Sequence, residues 1–148
     1  MSSLSEFIKQ SWLFPVLQSV HILGLTVLVG TIALVDFRLL GVGMRRLSLT
    51  QTASMLAPWT SAGLLTVFVT GPILFWSDMP RYIQNPAFVL KMVLLAVALA
   101  AHFTLHRSVV QVSDIKLRQK VIAALSLLLW SGVVLAGRAI ADFDIRIA

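Results

Sequence analysis

One lysine and three histidines lie within or at the ends of long apolar runs, where ionisable side chains are costly and usually serve a purpose. They are His21, Lys91, His102 and His106. Lys91 and His102 are eleven positions apart, close to three helical turns, so they share one face. His106 follows at i+4 on that face. Hydrocarbon is a poor neighbour for an amine and two imidazoles, so this face should point into a helical bundle. A lysine held there is either paired or neutral. A neutral amine and an imidazole nitrogen can both act as axial ligands to porphyrin iron, and helical bundles commonly hold such groups between facing helices.

Depth sorts these residues. His21 lies about 6 Å from the midpoint of its apolar run, near Leu25, at 1.5 Å per residue. Lys91 lies about 9 Å from the midpoint of its own run, near Val97, and on the same side. The two therefore share a level in the outer half, whereas His102 and His106 fall in the inner half. His102 replaces Lys91 as the second ligand if its helix is shifted or tilted. Gly24 follows His21 by about one turn, where a missing side chain lets a flat macrocycle approach the backbone. Arg81 and Arg138 stand at the outer ends of the runs and can neutralise the carboxylates of such a group.

Each residue also has a plainer use. His21 can be a buried, hydrogen-bonded histidine. Lys91 and the two arginines can snorkel to the headgroups. Gly30 can admit a macrocycle as Gly24 does, or serve close helix packing. His106, Arg107 and Asp36 read as a polar cluster at the inner surface.

The elements that position these groups follow from composition. Of 148 residues, 58% are hydrophobic and only 12% charged, where a soluble domain is nearer a quarter charged. Mean hydropathy is +0.91, so much of the surrounding solvent must be lipid. The net charge of +6 sits mostly in the gaps between apolar runs, which points to topological signalling and away from nucleic acid. With no cysteine, disulfides, thiolate metal sites and cysteine nucleophiles are excluded. No catalytic triad, phosphate loop or paired-carboxylate site is visible.

Four apolar runs of spanning length predict an all-α, integral membrane four-helix bundle, with helices over about 15–36, 58–77, 87–107 and 120–139. The whole chain reads as one transmembrane domain. Pro15 and Pro58 are expected in first turns, where proline is tolerated. Ser48 and Gln51 read as a capping box that opens a short interfacial helix over Leu49 to Leu56. Thr70-Gly71-Pro72 predicts a bend. The segment Ser3 to Phe14 is mildly amphipathic and should lie along the surface. Trp12, Trp59 and Trp76 fit an aromatic belt near span ends.

The gaps after the first and third runs hold Arg38, Arg45, Arg46, Arg107, Lys116, Arg118 and Lys120. The opposite side holds Lys9, Arg81, Arg138 and Arg146. This bias places both termini on the outer, periplasmic side of a bacterial cytoplasmic membrane. Ala96, Ala98, Ala100 and Ala101 suit helix packing within the bundle or against a second copy.

The stretch from Leu17 to Gly24, continuing to Asp36-Phe37-Arg38-Leu39-Leu40-Gly41, resembles the first helix of the CopD/HemJ-like membrane proteins. Asn85-Pro86-Ala87-Phe88-Val89-Leu90-Lys91 looks like the start of a later helix in that group. The combination is closest to bacterial four-helix proteins with DFRLLG- and NPAF-like signatures. The resemblance implies haem b binding through a first-helix histidine and a later-helix lysine, the positions of His21 and Lys91 here. This chain lacks a tryptophan between Leu25 and Val35, so protoporphyrinogen oxidation is not carried over. Met44, Met55, Met79 and Met92 are scattered and form no methionine-histidine cluster for copper. The expected function is haem-linked electron transfer, with quinone or a periplasmic protein as partner. The alternative is a non-enzymatic membrane subunit whose polar residues only lock helix packing.

Overall fold

The computed structural model describes residues 3–43, 46–106 and 116–147. Helix α1, Ser3–Gln10, is amphipathic and leaves Leu4 and Phe7 exposed. Lys9 on α1 reaches the carboxylate of Asp78 at 2.7 Å, which ties α1 to the far end of another helix.

Helix α2, Leu13–Leu40, is the first long apolar element. Pro15 falls in its first turn, where its missing N–H costs no bond. Gly41 ends it in the left-handed region at φ +85°, and its N–H closes on Arg38 O at 3.1 Å.

Helix α3, Leu49–Ser77, opens with the expected capping box: the Ser48 hydroxyl accepts from Gln51 N–H, and the Gln51 side chain accepts from Ser48 N–H. The short interfacial helix anticipated before the second span is instead the first two turns of α3. No breaker separates Leu49 from Leu56, so the capped turn propagates straight through Pro58. Pro58 is therefore interior, not in a first turn, and Pro72 likewise interrupts nothing in the helix assignment. Trp59, ten residues into α3, is 62% exposed on the outer surface of the bundle.

Helix α4, Met79–Ile83, forms in the connection that follows α3. Asn85 caps helix α5, Pro86–Ala101, by accepting from Ala87 N–H and Phe88 N–H, and Pro86 takes the first helical position. A π-helical segment, His102–His106, continues α5. Helix α6, Leu117–Ile147, completes the chain. No strand occurs among the described residues.

Four of these helices are long and apolar enough to cross a membrane: Leu13–Leu40, Leu49–Ser77, Pro86–Thr104 and Leu117–Phe143. They form a bundle around one shared core, in which Leu28, Ile32, Val67, Ala98, Trp130 and Val133 meet from all four. A second cluster, Val35, Leu39, Leu49 and Ala123, fills the end nearest the α2–α3 connection. Leu23, Leu65, Leu128 and Leu135 are 65–69% exposed, the outward apolar surface of a multi-pass membrane protein.

The closest seam is between α2 and α3, where two glycines cross. A Cβ on Gly63 would lie 2.7 Å from Leu28 N and 2.9 Å from Gly24 O, so only glycine permits this approach. Thr60 donates to Thr31 across the same seam at 2.9 Å.

Candidate functional site

The half of the bundle nearest the termini holds His21 and Lys91. His21 lies two turns into α2, and its Nδ1 is 2.8 Å from the Thr70 hydroxyl on α3. Thr70 donates its single hydroxyl proton to Thr66 O at 2.6 Å. With that proton on Thr66 O, the Thr70 oxygen accepts from His21 Nδ1, in the tautomer that leaves the lone pair on Nε2. The ring packs on Gly71, whose Cβ position is 3.4 Å from His21 Cε1. The Thr70-Gly71 pair that the sequence suggests as part of a bend is thus the seat of the histidine.

Lys91 enters from α5. Its side chain lies along Gly137 of α6, with Nζ 3.7 Å from the position a Cβ would take there. Lys91 is half-buried and close enough to His21 to act on it electrostatically. His21 and Lys91 thus stand in the same half of the bundle, His21 seated on α3 and Lys91 on α6. Above them, Phe75 of α3 stacks on Phe88 of α5 with centroids 5.4 Å apart. Tyr82 of α4 packs against both rings, at 6.3 and 5.2 Å. These aromatics close the end of the bundle between α3 and α5.

The remaining candidates lie elsewhere. His102 opens the π-helical segment, roughly 16 Å along the helix from Lys91, and its ring sits edge-on to Phe103 at 5.4 Å. Gly24 faces α3: a Cβ there would meet Thr66 Cγ2 at 2.6 Å, so its bare face is filled by a neighbouring helix. Arg81 approaches Asp78 at 3.7 Å and stands over the Tyr82 ring at 5.9 Å. Arg138 pairs with Asp142 at 2.8 Å on the exposed face of α6. Of the inner-surface cluster expected from His106, Arg107 and Asp36, Arg107 lies outside the described residues.

Asp36 differs most from its expected setting. It is completely buried, with the hydroxyl of Ser126 from α6 beside its carboxyl. A helix that ends at Leu40, and so reaches past Asp36 by a full turn, carries the carboxyl into the bundle. The sequence signal available was the i, i+4 register of Ile32, Asp36 and Leu40 beside buried Leu28 and Leu39.

Among the described residues, no group of three or more histidine, aspartate or glutamate side chains is placed to hold a metal ion. The donors at His21 and Lys91 are nevertheless of the kind that bind porphyrin iron, which needs one or two axial ligands and no such cluster.

Residues 12–143 match a family of unknown function, DUF6644, and the chain belongs to that family. No curated protein and no solved structure matches the chain significantly.

Proposed function

We propose that this protein binds haem b in the half of the bundle nearest the termini and serves one-electron transfer in a bacterial cytoplasmic membrane. The observation that carries this reading is the Thr66–Thr70–His21 chain, in which a histidine that donates from Nδ1 would keep Nε2 free for iron inside an apolar bundle. Metal-binding histidines characteristically donate their other ring N–H to an oxygen in this way. Bound haem would supply a reversible one-electron couple.

The chain's own residues would hold and tune it. His21 would hold the iron through Nε2. Lys91, as a neutral amine, would be the second donor, because it shares the level of His21 while His102 stands about 16 Å farther along its helix. Leu28, Ile32, Val67 and Trp130 exclude water beneath the site. Arg81 and Arg138 lie toward the same end and can exchange their present carboxylate partners for propionates. The likeness of His21 and Lys91 to the ligand positions of CopD/HemJ-like proteins supports the same pair. The lysine and arginine bias supports a periplasmic position for the termini, and so an electron partner on that side or a quinone in the membrane.

A second reading, a non-enzymatic subunit, is favoured by the interhelical bonds Thr60 to Thr31 and Asn85 Nδ2 to Ile140 O, which fix packing and nothing more. Absorption spectra of purified wild type and His21→Ala separate the two. Haem binding predicts a Soret band that the substitution removes while the protein still inserts. The packing reading predicts no pigment in either and a loss of stability in the variant.

A further inference from the structure

We infer that the opposite half of the bundle contains a proton-exchange site, at Asp36 with Ser126, that the proposed haem site does not use. The four spans contain only two carboxylates. Asp142 is exposed and paired with Arg138 near the end of α6. Asp36 is 0% exposed, in the end of the bundle where Val35, Leu39, Leu49 and Ala123 of α2, α3 and α6 cluster. Carboxyls retained at such depth mark proton or ion pathways far more often than they serve packing, because an apolar residue would pack there at lower cost.

The surroundings suit a proton better than a metal ion. Among the described residues no second carboxylate or histidine joins Asp36 in a cluster of three. The polar group that α6 turns to it is the Ser126 hydroxyl, which can donate to the carboxylate and accept from the carboxylic acid. The site can thus gain or lose a proton without losing this contact. Helix α3 carries no charged or titratable residue anywhere from Leu49 to Ser77. On α2 itself, the guanidinium of Arg38 is held by Leu47 O, at 3.1 and 2.9 Å. From α6, Arg118 and Lys120 are exposed at the first turn, with Lys116 just before it. The π-helical continuation of α5 brings two further titratable groups to this half, His102 and His106.

The path to water is short. Asp36 stands five residues before Gly41, about 8 Å along the helix, on the side of the α2–α3 connection. Toward the other side lies the dry core of Leu28, Ile32 and Val67, which separates this site from His21.

Dicyclohexylcarbodiimide, a membrane-soluble reagent that adds to protonated carboxyls, tests the site directly on the wild-type chain in lipid nanodiscs. Peptide mapping should place the adduct on Asp36, with labelling that falls at least tenfold between about pH 5 and about pH 9 as the acid form is lost. Ser126→Ala should move the midpoint of that profile. Asp36 that stays unlabelled throughout, or that labels equally at every pH, would overturn the proposal. A midpoint unmoved by Ser126→Ala would remove Ser126 from the site. None of these readouts depends on haem, so failure of the haem reading leaves the test intact.

Discussion

His21 Nδ1 and the Thr70 hydroxyl lie 2.8 Å apart across the α2–α3 seam, and the proton count of that hydroxyl decides which imidazole nitrogen is free. With the Thr70 proton on Thr66 O, the histidine is the donor. Thr70→Val keeps the shape of the side chain but removes the acceptor. Haem affinity in detergent, read by titration of the Soret band, should fall about 10- to 100-fold. Thr70→Ser should retain most of it, which a loss of packing alone would not predict.

Lys91 and His102 compete for the second ligand position. The level shared by Lys91 and His21 predicts that Lys91→Ala changes the low-spin absorption and electron paramagnetic resonance spectra of the loaded protein. His102→Ala should leave both unchanged. A spectral change with His102 and none with Lys91 would reverse the assignment.

Glycines on α2 and α3 differ sharply in what surrounds them. A Cβ on Gly63 meets backbone, Leu28 N at 2.7 Å, whereas one on Gly30 meets nothing within 4 Å. Gly63→Ala should cost about 1–3 kcal/mol by overpacking. Gly24→Ala, which meets the Thr66 side chain at 2.6 Å, should also destabilise. Gly30→Ala should be neutral or mildly stabilising, by helix propensity. Thermal unfolding in one detergent ranks all three.

Asn85 links two helices and is 1% exposed. Its Oδ1 caps α5 through Ala87 N–H at 3.0 Å, and its Nδ2 donates to Ile140 O on α6 at 2.9 Å. Asn85→Ala should cost about 2 kcal/mol or more, the sum of a lost cap and a buried carbonyl left without its donor. Asn85→Asp keeps the cap and loses the donor, so it should fall between the two in the same melts.

The four spans were legible because lipid makes the pattern one-dimensional: about twenty apolar residues can only be a helix. Depth along a straight helix is equally simple, and it assigned His21 and Lys91 to the same half of the bundle. Rotation about the helix axis was harder to read. Helix α2 is apolar nearly all round, so no stripe in the sequence showed that Gly24 faces Thr66, and the inward turn of Asp36 toward Ser126 was marked by nothing stronger than the i, i+4 register of Ile32, Asp36 and Leu40. Thr70 was hidden for a similar reason, since a threonine beside Gly71 and Pro72 reads as a bend until its partner on another helix is seen. The start of α3 was misplaced because Pro58 looked like a first-turn proline, while the Ser48 capping box had already nucleated the helix.

The most direct test of the haem assignment is an absorption spectrum of the detergent-purified wild-type protein, oxidised and then reduced with dithionite. The account predicts a Soret band with α and β bands that sharpen on reduction. A visible spectrum that stays flat, even after haem is added back to the folded protein, would contradict it.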